Sequence, residues 1–304
     1  MISIEEVREA LTGPVGDIFT PFNRDGTIDY HGLRNLIDFD IAAGAKAFIL
    51  TMGDSKYTLL TDDEVVDLTK AVSEHVAGRA VVVAADRTWA TPKAVDFAKY
   101  ASSIGADLLM VKPPDFAGSF TEDTLVEHYA SVAEHIQVML VTNVFADRPV
   151  QFAIGVMERL IDNVSGVIAL KEDNMDEFAR RIGLAVHDHW AVICGGQKQN
   201  FLNAFPYGCD GYMSSYLMFK PEIAHSFWES VKMEDWLGAR NIIKKFDHPL
   251  YDFGNSLPGR YDASLHGALE LFGVAKRWRR KPFHSLDDSE MEKLTDFFKG
   301  LSLL

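Results

Sequence analysis

GVIALKED, residues 166–173, is an apolar run broken near its end by one lysine and two acids. Val167, Ile168, Ala169 and Leu170 make the near-continuous hydrophobic pattern of a strand covered on both faces, as in the parallel sheets of α/β proteins. An ammonium at the end of such a run is costly unless it is paired, exposed or deprotonated. Lys171 therefore has three open readings: an ion pair with a neighbouring acid, a solvated strand end, or an amine held ready for chemistry.

Seven more runs of this kind lie along the chain, at 15–20, 45–51, 80–85, 107–112, 137–144, 190–195 and 211–215. Segments of helical period separate them. Thr61-Asp62-Asp63-Glu64 has the T-x-x-E pattern of a capping box, and Thr91-Pro92 puts a proline where a helix can spare an N–H. Gly78, Gly105 and Gly208 fall where helices stop and suit a left-handed residue past the helix end. Eight strand–helix units repeating about every 27 residues are too closely spaced for two doubly wound domains, and they close most economically as a (β/α)8 TIM barrel. This α/β barrel is expected over residues 1–233. Helix-like segments at 234–245, 262–271 and 288–299 then form a C-terminal helical extension, 234–304, packed on the barrel without a flexible linker.

Composition excludes several function classes. The chain has 304 residues, 47% hydrophobic and 24% charged, and a net charge of −14, which disfavours nucleic acid and anionic membrane surfaces as partners. The single basic cluster, Lys276 to Lys281, reads as a solvated helix terminus or a subunit contact rather than a polyanion site. Cys194 and Cys209 sit in apolar contexts with neither disulfide nor metal-site spacing, which suggests buried thiols in a reducing compartment. The N-terminal residues lack the basic start and apolar core of a signal peptide, and no stretch is long and apolar enough to span a bilayer, so a cytoplasmic protein is expected. His187-Asp188-His189 looks like a metal pair, but it precedes the seventh strand and belongs to the stability face of a barrel. No phosphate loop, nucleophile elbow or dinucleotide fingerprint is present, and no cofactor or metal is expected.

A barrel gathers its chemistry at the C-terminal ends of its strands. Those ends carry Thr51, Asp86 with Arg87, Lys112, Thr142, Lys171, Gly195 with Gly196, Met213, and Ser214 with Ser215. Because side chains alternate along a strand, a Lys171 that faces the barrel interior turns Glu172 away from it. An ordinary lysine, with a pKa near 10.4, is neutral in only about one molecule in 2,500 at pH 7. Desolvation and a nearby cation could discharge such an amine at a cost of about 4 kcal/mol, which would make it a nucleophile for carbonyls. An ion pair of Lys171 with Asp86 or Glu172 explains the residue equally well from spacing alone.

Beyond these patterns, residues 16–45, GADLLMVKPP, GVIALKED, GCDGYMSS and LFGVAKRWRRKPFHSL stand in the order and at the spacing of one family. They resemble dihydrodipicolinate synthase and N-acetylneuraminate lyase, (β/α)8 class I aldolases and dehydratases. The resemblance covers most of the chain. It implies that Lys171 forms a Schiff base with the carbonyl of a 2-oxo acid, pyruvate or a 2-keto-3-deoxy sugar acid, and that the protein is a homo-oligomer, dimer or tetramer. It also implies that Thr51 positions substrate and that Met52 and Gly53 offer backbone N–H groups to a carboxylate.

Departures from the family pattern are equally informative. Its second loop threonine is Met52 here, and its catalytic tyrosine on the fifth strand is Thr142, which could at most position a water. The second relay tyrosine is missing from KPPDFAG, where Asp115 or Phe116 stands instead. Tyr57 is a candidate substitute, with ordinary packing as its other reading. Asp86, Gly195, Met213 and Ser214 are expected against the substrate. Arg87 is expected either on a substrate carboxylate or paired with Asp86. Without the tyrosines, dihydrodipicolinate synthase activity itself is expected to be weak or absent. The other outcome is a family member that binds a 2-oxo acid or a protein partner without turnover.

Overall fold

The computed structural model describes residues 2–115 and 117–304. Eight parallel strands close on themselves: β1 Gly13–Asp17, β2 Ala47–Ile49, β3 Val81–Ala85, β4 Leu108–Val111, β5 Gln137–Val141, β6 Val167–Glu172, β7 Ala191–Cys194 and β8 Gly211–Met213. Closure runs through β1 and β8, where Gly13 pairs with Gly211 and Val15 with Met213. The chain is a (β/α)8 TIM barrel. All six residues of β6 are buried, as the continuous apolar run required.

Helices between the strands start where the chain supplies caps. Thr61 accepts from the backbone of Glu64, and Glu64 reaches back to the N–H of Thr61, so the helix Asp62–Val76 begins with both halves of a capping box. Pro92 sits in the first turn of Thr91–Ser103. Gly78, Gly105 and Gly208 all have positive φ.

Several strands are shorter than their apolar runs. After Val141 the chain leaves the ladder in a 3-10 turn, Thr142–Phe145, and after Ser214 in another, Ser215–Met218. One pairing is irregular. Val138 is opposite Val167 but Met139 is opposite Ala169, so β6 carries one surplus residue, Ile168, against β5.

The expected C-terminal helices are present as Trp236–Ile242, Arg260–Leu271 and Asp288–Gly300. Two helices were not expected. Ile4–Leu11 lies at the N-terminal end of the barrel, where Arg8 donates to the carbonyls of His187 and Trp190. His248–Ser256 follows a π-turn, Ile243–Asp247, that widens the helix just before Pro249 and relieves the clash a proline makes with the preceding turn. A second apolar cluster joins this region to the barrel: Leu250, Leu265, Leu269 and Phe298 pack with Phe19, Leu36, Tyr216 and Phe219. Each such fully buried side chain contributes about 1.5–3 kcal/mol.

The basic cluster is not a helix terminus, and its outer lysines, Lys276 and Lys281, are the exposed members. It is an irregular strap whose cations are used internally: Lys276 pairs with Asp29, Arg277 with Glu270 and Asp288, and Arg279 with Asp262. Arg280 reaches both carboxylate oxygens of Glu64 at 2.7 Å. Opposite-charge partners within the chain take up most of the cluster's charge. Among the described residues, no helix is long and apolar enough to cross a membrane.

Candidate active site

A cavity of about 240 Å³ opens at the C-terminal ends of the strands. Six of the residues singled out from the sequence line it: Thr51, Met52, Gly53, Asp86, Lys112 and Lys171. Lys171 is 7% exposed and faces the barrel interior level with Val141, its partner on β5. Its Nζ is ion-paired to Asp173, two residues on and on the same face of the strand. The partner is therefore neither Asp86 nor Glu172, and what touches the amine is a carboxylate, not the cation expected to discharge it.

The turn after β2 is braced from β1. Ser55 Oγ donates to the carbonyl of Ile18 at 2.7 Å and accepts from the N–H of Thr51 at 3.0 Å, while Thr20 Oγ1 donates to the carbonyl of Ser55 at 2.6 Å. Thr51 Oγ1 accepts from the N–H of Asp54 at 2.9 Å, leaving its own proton uncommitted. Among the described residues, the N–H groups of Met52 and Gly53 have no acceptor. Two free amides and one hydroxyl facing a cavity form an anion cradle, held by a rigid support.

Asp86 directly follows β3 and is buried, with Oδ1 accepting from the N–H groups of Lys112 at 3.0 Å and Thr88 at 3.3 Å. Its other oxygen has no hydrogen-bond partner. Burial pushes its pKa up to about 7, against those two amides and the Lys112 ammonium, which pull the other way.

Behind β6, Thr142 Oγ1 donates to Glu172 Oε1 at 2.6 Å and accepts from the N–H of Asp173 at 3.0 Å. Its one proton is committed and it does not line the cavity, so it braces the Asp173 backbone instead of positioning a water. Glu172 is also raised to about 7, chiefly by burial.

Gly195 lies directly against the ion pair, since a Cβ there would overlap Asp173 Oδ1 and stand 2.6 Å from Lys171 Nζ. Met213 and Ser214 are buried at the end of β8 and do not line the cavity. Arg87 turns outward to Asp62 at 3.0 Å and is absent from the cavity wall, which removes both of its expected roles. Tyr57 is fully buried and does not reach the mouth. Phe116 lies outside the described residues.

Sequence reading missed Asp54, Asn143 and Asp173, all of which line the cavity. Lys112 and Asn143 also line a second cavity of about 690 Å³, together with Thr88 and Arg148. Asp54 and Asp17, on neighbouring strand ends, are both raised by burial. Every one of these residues stands at a strand end, so position in the barrel was the available signal.

His187 pairs with Asp210 at 2.9 Å at the opposite end of the barrel, as its place before β7 requires. Among the described residues, no group of three or more His, Cys, Asp or Glu side chains is placed to hold a metal ion. Cys194 and Cys209 are buried free thiols with their sulfurs 3.5 Å apart.

Relatives share this architecture and much of the sequence. A 4-hydroxy-tetrahydrodipicolinate synthase from Pelodictyon phaeoclathratiforme is 29% identical over 266 residues, 86% of this chain and 89% of its own length. A probable 5-dehydro-4-deoxyglucarate dehydratase from Streptomyces avermitilis is 26% identical over 99% of this chain and 91% of its own. Among solved structures, the dihydrodipicolinate synthase from Oceanobacillus iheyensis superposes with a TM-score of 0.84 at 20% identity, covering 99% of this chain and 100% of that one. The N-acetylneuraminate lyase from Fusobacterium nucleatum does so with a TM-score of 0.81 at 18% identity, over 96% and 99%. The model of the dihydrodipicolinate synthetase family matches residues 10–300, and the chain belongs to that family.

Proposed function

We propose that this protein is a Schiff-base-forming lyase that cleaves or dehydrates a 2-oxo acid, such as a 2-keto-3-deoxy sugar acid, and is not a genuine dihydrodipicolinate synthase. One observation carries the reading: the Lys171 amine borders a cavity whose wall also presents the free N–H groups of Met52 and Gly53 and the Thr51 hydroxyl. A 2-oxo acid has a carboxylate next to its carbonyl, so a carboxylate in the cradle brings C2 towards the amine.

Asp173, in contact with Nζ, accepts its proton. The freed lone pair attacks C2, and loss of water leaves a protonated imine. That imine draws in the electrons of a C3–H or a C3–C4 bond, which serves dehydration and aldol cleavage alike. Relatives named as dehydratases and lyases support this reading. The absence of any tyrosine from the described cavity wall speaks against the synthase, which in this family relies on them.

A second reading has its own observation. Lys171 is already clamped by Asp173, which suits a protein that binds a 2-oxo acid without turning it over. Borohydride reduction with pyruvate, followed by peptide mass analysis, is expected to give a covalent adduct on Lys171 that Lys171→Met abolishes. Absence of an adduct from the unaltered protein defeats the proposal. An adduct without turnover of any 2-keto-3-deoxy sugar acid in a panel selects the binder.

A further inference from the structure

Proton transfer at C3 is common to both reactions open to this site. A dehydratase removes a proton from C3 to begin, and an aldolase returns one there to finish. The family's tyrosines are missing, so the group that moves the proton has to be found in this chain.

The ionisable side chains on the described cavity wall are Asp54, Asp86, Lys112, Lys171 and Asp173. Lys171 is the nucleophile of the proposed reaction, and Asp173 is committed to its amine. Asp54 follows the cradle that receives the substrate carboxylate, and Lys56 and Lys171 oppose the burial that raises it. Asp86 differs from all of these. Two backbone amides fix its Oδ1, so the carboxyl cannot rotate, and its Oδ2 is buried with no partner. A buried polar atom left unsatisfied in a residue that lines a cavity is costly unless it has work to do. Lys112 faces it from the end of β4, and two buried phenols, Tyr57 and Tyr129, lie on its other sides.

We propose that Asp86 is the acid–base that carries the proton to and from C3 of the Lys171-bound substrate, in place of the family's tyrosine. The inference rests on the Schiff-base reading above. As base, the carboxylate takes the C3 proton, the C–H electron pair becomes the C2–C3 double bond, and the imine π pair settles on nitrogen. Asp86 is then a neutral acid with a proton to return to C3. Its pKa of about 7 suits both directions near neutral pH.

The test uses the full chain and pyruvate in D2O. Enamine formation exchanges the methyl protons for deuterium, read by proton NMR, and borohydride trapping reads imine formation separately. Asp86→Asn keeps the Oδ1 acceptor for both amides and should fold. It is expected to give as much trapped adduct as the unaltered protein while methyl exchange falls by roughly 100-fold or more. In the unaltered protein, exchange per adduct should rise with pH through a midpoint near 7, since the base form is required, and that rise should vanish in the variant. Exchange within a few-fold of normal in Asp86→Asn overturns the proposal. So does a loss of exchange confined to Asp54→Asn or Asp173→Asn, which would pass the role to that residue. No adduct in the unaltered protein defeats the Schiff-base reading itself, a result distinct from normal adduct with normal exchange in the variant.

Discussion

Gly195 follows the last residue of β7, and its N–H donates to the carbonyl of Glu172 at 2.8 Å. Its missing side chain leaves the space that Asp173 and Lys171 fill. Gly195→Ala is expected to destabilise the protein by only about 1–3 kcal/mol, as overpacking does. The same methyl group separates the ion pair, so trapped adduct with pyruvate should fall at least tenfold while circular dichroism stays native. Lys171 and the Thr51–Gly53 turn were legible because apolar runs locate strand ends and the family resemblance supplies their roles. Asp173 was within reach of the same alternation that turned Glu172 away, carried one residue further. Arg87 was misplaced because β3 stops at Ala85, and the next two side chains diverge, one into the cavity and one to Asp62. A strand end cannot be read for direction once the ladder has stopped.

Among elements, all eight strands were located in the sequence, since double burial leaves an apolar run, though β1, Gly-Pro-Val-Gly-Asp, begins and ends earlier than the run at 15–20. The helices at Ile4–Leu11 and His248–Ser256 were not. The first carries a capping box, Ser3 with Glu6, whose acids were weighed only against a signal peptide. The second carries Pro249 in its first turn, directly after another helical segment that a proline would ordinarily end, and no local pattern announces the π-turn that accommodates it. The turn after β2 is coupled to the helix Arg260–Leu271 through Lys56, which is 2% exposed and bonded to Asp262 Oδ1 at 2.6 Å. Asp262 also holds Arg279. Asp262→Ala strands two buried cations, and urea unfolding should show a loss of about 3–5 kcal/mol. Lys56 Nζ also touches the carbonyl of Gly53 at 3.3 Å, so pyruvate trapping should weaken in the same variant.

For the molecule as a whole, both apolar clusters draw on residues of the barrel's first strand–helix unit, and acid acts on a buried histidine beside each. His266 is fully buried beside Phe19 with neither ring nitrogen bonded, and burial lowers its pKa to about 3. His128, in the barrel shell, is lowered to about 4 by burial. The unfolded chain takes up these protons below about pH 6.5, whereas the folded chain refuses them until pH 3–4. The contribution of these two histidines is therefore lost as pH falls, about 2 kcal/mol for each at pH 5, while the buried carboxyls Asp86 and Glu172, raised to about 7, work in the opposite direction. Chemical denaturation of the unaltered protein and of His266→Leu at pH 7 and pH 5 isolates the histidine: between the two pH values the variant's stability should change by about 2 kcal/mol less in the destabilising direction than that of the unaltered protein. The surplus residue in β6 has a wider meaning. The two strands keep step like a vernier, one counting once more than its neighbour between Val138 and Met139. Were Ile168 smoothed into the ladder, Leu170 would take the seat opposite Val141, and the amine would look out among the helices. Were Ile168 deleted, the counts would agree and the amine would keep its place, so at this point the barrel would forgive a shorter gene more readily than a straighter strand.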